Sequence, residues 1–499
     1  MEWLQFLCVI CVFICGNSQN VLQNPNILNP DHIYFADNRP STGKPVHRQI
    51  NAPSESLQPP YSNINVVKVP VTRFNVNETS THNWNNFQRP ANDVNFVQRP
   101  VYDQTVAINR NSEELQTNRE SQKIRFTQAA VALTNFSINI MKNVVTRKQG
   151  NTVVSPYSIA TVLALLQQGA TTLSLEQISV ALQMSSQTSA TVYRTQIMDI
   201  QNRRSSNILR TANNIFVADA FALNPQFSIV AKRDFDVDVA RTSFGNTDQA
   251  VRLINGWIAS KTNNKIEKLI SPESISVNTQ MVLVNAVYFK GLWAFPFQTS
   301  STKIGEFTLG NGAKKNVPFM LARRYLRAGF DVQTDSKVAI LPFENDEYSL
   351  MVIIPSTLSS AQNTLTSLTV SQLESYLNLK SIEVVLKIPK FTIKADTDLT
   401  PVLKQMGVSQ IFEQNSGLVG LGTYRELTPQ VSSAVHSAVI SIDEDGATAA
   451  AASAFSVVAL SNDDMPLLIQ VENPFVAILW DEKTKVPLFM AKIEDPSIL

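Results

Sequence analysis

The stretch VHSAVISIDEDGATAAAAS, residues 435–453, contains two different patterns, one after the other. Its first half alternates small or polar side chains with apolar ones, which is typical of a half-buried β-strand, and it includes His436. Its second half is rich in alanine, and local propensity alone favours a helix there. Every side chain from Gly446 to Ser453 is nevertheless small enough to fit between the strands of a packed sheet.

The chain on either side of this stretch mixes helical and strand-like segments from about residue 123 onward. Apolar residues at helical spacing predict helices, and runs rich in valine, isoleucine and phenylalanine predict buried strands. The predicted helices are 126–145, 155–170 and 395–407, and the predicted strands are 279–291, 381–393 and 431–443. The pattern indicates an α+β fold, and length alone favours two or more domains.

The N-terminal region has a different composition. Residues 4–15 form a short apolar run followed by small polar residues, which predicts a secretory signal peptide at 1–18. Residues 19–122 contain 18 asparagines, ten prolines and a single glycine, without sustained periodicity, and we expect them to be disordered. Sequons at Asn77 and Asn135 are candidate glycosylation sites of an exported protein.

The composition argues against most kinds of enzyme chemistry. All three cysteines lie in the signal, and His436 is the one histidine after residue 122, so a zinc site is not expected. A Ser-His-Asp triad would have to use His436, whose pattern indicates a buried strand. No phosphate-binding glycine loop occurs, and the net charge of +1 predicts neither nucleic acid nor membrane as a partner. No cofactor is expected.

Several recognisable segments occur in order, namely NTVVSPYSIATVLALLQQGA at 151–170, INGWIASKTNNKIEKLI at 254–270, LVNAVYFKGLWAFPF at 283–297, KIPKFTIKADTDLTPVLKQMGV at 387–408, the stretch 435–453, and NPFVAILW and PLFMAKI near the C-terminus. Together these segments resemble the serpins, a family of serine protease inhibitors. The resemblance implies a single α+β domain over 123–499 with three β-sheets and a metastable native state. It also implies an exposed reactive loop at about 444–466, and a monomer that inhibits proteases and is not itself an enzyme.

The resemblance also assigns roles to individual residues. The region that controls opening of the large sheet corresponds to Ser155, Ser158, Asn285, His436 and Trp293. The loop hinge corresponds to Glu444, Asp445, Gly446, Ala447, Thr448, Ala449, Ala450, Ala451, Ala452 and Ser453. Of these, Ala447, Ala449, Ala451 and Ser453 would face the core after insertion. The family's spacing places the reactive bond between Leu460 and Ser461. Three departures from the family pattern lie outside the loop, namely Gly417, Lys485 and Ala491.

The loop sequence also restricts the target. Leu460 would offer an apolar residue to the primary pocket of a protease, and residues 426–482 contain neither lysine nor arginine. We therefore expect an extracellular chymotrypsin- or elastase-like serine protease as the partner. The long polar extension resembles that of insect haemolymph serpins, which implies restraint of an innate-immune protease cascade. The alternatives are a non-inhibitory serpin that serves as a carrier or storage protein, and a secreted hydrolase.

Overall fold

The computed structural model describes residues 127–203, 206–357, 360–445 and 465–497. The α-helices in these ranges are α1 (Gln128–Val145), α2 (Pro156–Gly169), α3 (Thr172–Leu182), α4 (Ser186–Asn202), α5 (Pro225–Phe235), α6 (Thr247–Lys261), α7 (Ser360–Ser367), α8 (Val370–Leu377) and α9 (Thr400–Gln405). Short 3₁₀ turns occur at Pro272–Ser274, Thr299–Ser301, Glu344–Asp346, Gln410–Phe412 and Val419–Leu421.

The same ranges contain sixteen β-strands. In chain order these are β1 (Thr152–Val154), β2 (Ile208–Ala218), β3 (Phe221–Leu223), β4 (Asp238–Thr242), β5 (Met281–Lys290), β6 (Lys303–Thr308), β7 (Lys314–Asp331), β8 (Ser336–Pro342), β9 (Tyr348–Pro355), β10 (Ser381–Pro389), β11 (Phe391–Asp398), β12 (Gly422–Tyr424), β13 (Ser433–Ile442), β14 (Leu467–Gln470), β15 (Phe475–Asp481) and β16 (Val486–Ile493). They form three sheets, as predicted.

The five-stranded sheet has the order β11-β13-β5-β2-β4. Its central strand, β5, is the parallel neighbour of β13, whereas β13 with β11 and β5 with β2 are antiparallel pairs. The nine-stranded sheet has the order β1-β16-β15-β9-β8-β7-β10-β14, with β6 added at β7, and β12 pairs with β3 in a small third sheet. We call the parallel β5–β13 pair the seam of the five-stranded sheet.

Helix α2 lies between the two large sheets and contacts both β5 and β16. Its sequence is apolar on nearly all sides, and nearly every residue is buried, as a helix surrounded by other elements requires. Ser155 caps its N-terminus by accepting a hydrogen bond from the Ser158 N–H, and Pro156 occupies the first turn, where no N–H partner is needed. The helix start therefore places two serines against the middle of the five-stranded sheet.

Most predicted elements are present, and two predictions are wrong. The segment 381–393 is not one strand, because β10 ends at Pro389 in the nine-stranded sheet and Phe391 begins β11 in the five-stranded sheet. The segment 395–407 does not form one helix, because residues up to Asp398 continue strand β11, in which Ala395 pairs with Ala438 of β13. Pro401 lacks an N–H and fits only the first turn of a helix, so α9 begins at Thr400. The acidic residues expected near a helix start lie instead at the end of a strand.

Candidate functional site

Residues 443–445 of the stretch 435–453 are held in place at the end of strand β13. The backbone N–H of Phe297 donates to the Glu444 carbonyl at 2.8 Å, and the N–H of Trp293 donates to the Asp445 carbonyl at 3.4 Å. The indole Nε1–H of Trp293 donates to the Asp443 carbonyl at 2.8 Å. Three consecutive carbonyls thus have partners in the segment that follows β5, so the chain leaves the sheet from a defined position.

The Glu444 side chain adds a second attachment. Its carboxylate accepts from the Lys390 ammonium at 2.7 Å and from the Thr302 hydroxyl at 2.8 Å, and its side chain is only 9% exposed. Burial by itself raises the pKa of this carboxyl, but the hydrogen bonds from Lys390 and Thr302 outweigh burial, so its pKa lies below the usual value. Glu444 is therefore charged at neutral pH and links β13 to two other parts of the fold.

The Trp293 indole is itself held rigidly. It stacks on Phe343 with ring centroids 4.3 Å apart and planes 7° apart, and it forms a T-shaped pair with Phe297 whose ring centroids are 5.9 Å apart. Only 3% of Trp293 is exposed. This aromatic cluster closes the end of the β5–β13 seam from which the loop leaves.

A row of buried polar side chains crosses the β5–β13 seam, away from the end at which the chain leaves the sheet at Asp445. His436 on β13 is the register partner of Asn285 on β5, which in turn is the partner of Asn213 on β2. The imidazole Nδ1–H donates to the Asn285 side-chain oxygen, and the Asn285 amide donates to Asn213 Oδ1 and to Ser158 Oγ, both at 2.7 Å. Three strands are thereby linked through side chains beneath α2.

The same row is connected to the helix start and to the second large sheet. His436 Nε2 accepts the N–H of Ser155 at 3.0 Å, and the Ser155 hydroxyl donates to the Leu488 carbonyl of β16 at 2.8 Å. The Ser158 hydroxyl donates to Asn213 Oδ1 at 2.9 Å. His436 therefore donates through one ring nitrogen and accepts through the other, which requires a neutral imidazole.

Burial keeps His436 neutral. The residue is fully buried, and desolvation lowers the pKa of its imidazole to about 3, against a smaller opposing effect of the bond to Asn285. A neutral, enclosed histidine whose two nitrogens are both engaged cannot accept a proton from a substrate. The position of the residue agrees with a structural role and disfavours the hydrolase alternative.

The structure thus brings together Ser155, Ser158, Asn285 and His436 in one network and places Trp293 with Glu444 and Asp445 in another. Sequence reasoning missed Asn213, Lys390 and Thr302. The pair Asn213-Asn214 inside the apolar run of β2 was a usable signal, because a polar pair in a buried strand needs partners. Lys390 and Thr302 carry no such signal, since their contacts depend on the fold.

Other predicted positions fall elsewhere. Residues 446–464, which include Gly446 to Ser453 as well as Leu460 and Ser461, lie outside the described residues, as does Asn77. Asn135 is inside α1, where its amide donates to Gln183 at 3.1 Å.

The three departures from the family pattern lie away from both networks. Gly417 has a φ of 70°, which favours glycine, and Lys485 has a φ of 57° while its ammonium bonds Glu482 at 2.8 Å. Ala491 is buried in β16.

The comparison with known proteins identifies the family. A family model described as Serpin (serine protease inhibitor) matches residues 131–496, which is most of the chain. The chain is a serpin. Members of this family are generally protease inhibitors and not enzymes. The described part of this serpin shows no group of three His, Cys, Asp or Glu side chains that could hold a metal ion, and none of its helices is long and apolar enough to cross a bilayer.

Individual relatives cover the same region of the serpin. It is 31% identical to a serine protease inhibitor of Cyanea capillata over 380 residues, which are 74% of this chain and 99% of that protein. It is also 31% identical to antichymotrypsin-2 of Bombyx mori, covering 69% of this chain and 92% of that protein. The crystal structure of Manduca sexta serpin-12 matches with a TM-score of 0.68 and 47% identity, over 74% of this chain and 99% of that one.

Proposed function

We propose that this serpin is a secreted suicide-substrate inhibitor that traps a chymotrypsin- or elastase-like serine protease. The observation that carries the proposal is the parallel β5–β13 seam, with the chain leaving at its end from Asp445. A segment that turns back there and enters the seam runs antiparallel to both strands. One parallel pairing is then replaced by two antiparallel ones, which are somewhat more stable per residue.

The loop sequence is suited to such an insertion. Ala447, Ala449, Ala451 and Ser453 would face the core, and each is small enough to pass between packed side chains. About ten new strand residues, at a net 0.5–1.5 kcal/mol per hydrogen bond, release on the order of 10 kcal/mol. That energy is comparable to the whole stability of an ordinary domain, so it is large enough to distort a trapped enzyme.

The covalent step uses the chemistry of the protease. The hydroxyl of its catalytic serine attacks the Leu460 carbonyl, and its histidine takes the hydroxyl proton. The peptide bond to Ser461 breaks, the new amino group of Ser461 leaves with the proton, and an ester joins the protease to Leu460. Insertion then carries the ester along the sheet before water can hydrolyse it. The sixteen residues after Glu444 end at Leu460 and span roughly 53 Å at about 3.3 Å per residue.

The sequence and the relatives support a chymotrypsin- or elastase-like target and an extracellular location. An apolar Leu460 suits an apolar primary pocket, and a relative from Bombyx mori is named antichymotrypsin. The absence of lysine and arginine from 426 to 482 leaves a trypsin-like pocket without a ligand. The apolar run at 4–15 supports export, and resemblance to insect haemolymph serpins supports restraint of an extracellular innate-immune cascade.

A single incubation series tests the proposal. The purified protein is mixed separately with chymotrypsin, elastase and trypsin, and the products are separated on a denaturing gel. We expect a stable adduct at the summed mass with chymotrypsin or elastase and none with trypsin. Clean loop cleavage without an adduct for every enzyme would mean a non-inhibitory serpin, and an adduct with trypsin alone would contradict the assigned target class.

A further inference from the structure

The segment that follows β5 is tied to the nine-stranded sheet by an arginine. We call residues 293–297 the clasp; they lie between β5 and β6 and so belong to the connection between the two large sheets. The clasp supplies the three hydrogen bonds to the carbonyls of residues 443–445. A second set of contacts joins it to β7, where the Arg324 guanidinium donates to the Phe295 carbonyl and lies over the Phe297 ring, 4.4 Å from its centroid.

Arg324 faces the inside of the nine-stranded sheet. Its register partner on β10 is Val384, which is fully buried, and directly opposite residues of an antiparallel pair place their side chains on the same face. The neighbouring Arg323 points to the other face, where its side chain is 63% exposed and pairs with Glu383 at 2.8 Å. Two consecutive arginines thus have different surroundings, and only Arg324 contacts the clasp.

The charge of Arg324 is held in this position without an acidic partner. Its guanidinium forms no ion pair with any carboxylate in the described ranges, and burial lowers its pKa to about 10, so it stays charged at neutral pH. A partly buried cation without a counter-ion is unfavourable for stability. Its hydrogen bond and its ring contact in the described part of the chain are both with the clasp, so holding the clasp is the role that its surroundings support.

The clasp lies where an inserting loop would have to enter. It runs from the end of β5 to the three carbonyls that follow β13, and it therefore bridges the two strands of the seam at one end. A chain that turns back after Asp445 and enters between these strands must break some of these bonds and shift Trp293, which is only 3% exposed there. Contacts that keep the clasp in place should therefore slow the entry of the loop.

We propose that Arg324 is a positioning residue that holds the clasp across the end of the seam and thereby limits the rate at which the loop enters. This inference rests on the proposed inhibitory function. The charge-assisted hydrogen bond to Phe295 and the cation–π contact with Phe297 stabilise the closed arrangement. A contact that is present at the start and absent from the transition state raises the barrier between them. Arg324 thus keeps the intact loop outside the sheet until a protease cuts it.

The test compares the wild-type protein with Arg324→Met. Methionine keeps an unbranched chain and a sulfur contact with the Phe297 ring, but it has neither charge nor donor. The matched control is Arg323→Met, on the outer face. Each purified protein is kept without protease at one temperature below unfolding. Samples taken over time are mixed with chymotrypsin or elastase to measure the remaining capacity to form an adduct. Mass spectrometry verifies that the chain is uncut, and calorimetry gives its unfolding temperature.

We expect Arg324→Met to lose its capacity to form the adduct about tenfold faster than wild type, because a charge-assisted hydrogen bond and a cation–π contact together are worth about that factor. The inactive, uncut molecules should unfold at a higher temperature than fresh ones, since their loop has entered the sheet. Arg323→Met should behave as wild type. Arg324→Lys, which restores a cation over the ring, should stay within about twofold of the wild-type rate.

A merely structural role for Arg324 would give a different result. Activity would then be lost with a lower unfolding temperature and without a more stable uncut species, and this result would overturn the inference. Equal acceleration in Arg324→Lys or in Arg323→Met would also overturn it. If Arg324→Met does not fold, Arg324→Gln takes its place; it keeps a donor for the Phe295 carbonyl without the charge and should lose activity about threefold faster than wild type.

The remaining outcomes separate this inference from the proposed function. Equal rates for the wild type and the variant at Arg324 overturn the inference and leave the inhibitor assignment intact, provided that both fresh proteins form the adduct. Absence of any adduct from the fresh wild type overturns the proposed function, and this inference fails with it.

Discussion

His436 shows how one buried side chain can make the stability of the whole molecule depend on pH. Its imidazole accepts from the Ser155 N–H and hydrogen-bonds Asn285, and it does both only while neutral. The pKa of about 3 in the folded state lies well below the ordinary value of 6.5. Between these values the unfolded chain binds a proton that the folded chain does not, so acid favours unfolding.

We therefore predict that stability falls as the pH drops from 7 to 5, by about 2 kcal/mol from this residue, at about 1.4 kcal/mol per pH unit below 6.5. The variant His436→Gln should lose this dependence, because glutamine does not titrate. Thermal unfolding followed by circular dichroism at several pH values measures the effect. His82→Gln, in the extension, is the control and should keep the wild-type profile. A His436→Gln profile parallel to wild type would show that another group is responsible.

At the scale of elements, the proposed insertion between β5 and β13 determines which substitutions in the loop hinge should impair inhibition. In the proposed inserted strand, the hinge residues would alternate between a face that enters the core and a face that does not, since successive side chains in a strand point to opposite sides. A charge on the core face must be buried without a partner, which costs several kcal/mol. The same charge on the other face stays in contact with solvent or with the covering elements.

Ala449→Glu and Ala450→Glu form a matched pair that tests this alternation. We predict that Ala449→Glu converts the inhibitor into a substrate, with most molecules cleaved and less than about a tenth trapped, because insertion stalls when the carboxylate must be buried. Ala450→Glu should still form the adduct with most of the protease. Densitometry of the cleaved and adduct bands measures the partition. Equal partition for the two variants would mean that the insertion register is wrong.

The sequence predicted single elements well and their pairing poorly. Strand β13 and helix α2 follow from local pattern and from the Ser155-Pro156 start, because periodicity and capping are local properties. The helix expected at 395–407 failed because pairing of β11 with β13 overrode local propensity. Asn213 was missed for a related reason, since its alignment with Asn285 depends on the register of strands about seventy residues apart.

For the whole molecule, the native fold should not be the most stable arrangement of the chain. In the proposed mechanism, cleavage near Leu460 would release the constraint on the loop, and insertion would then add about ten strand residues. We predict that the cleaved protein unfolds at least about 10 °C above the intact one, because on the order of 10 kcal/mol is gained. Differential scanning calorimetry before and after limited proteolysis measures the difference, with cleaved Ala449→Glu as the control that gains little. An unchanged unfolding temperature would contradict both insertion and the inhibitor assignment.

The position of Trp293 should make its fluorescence sensitive to loop insertion. Its indole N–H is bonded to the Asp443 carbonyl and its ring lies on Phe343, both at the point where the loop leaves the sheet. A strand that enters there must alter the surroundings of this indole, and tryptophan emission responds to such a change in polarity. Stopped-flow fluorescence would therefore time the conformational step separately from acylation, without any attached dye.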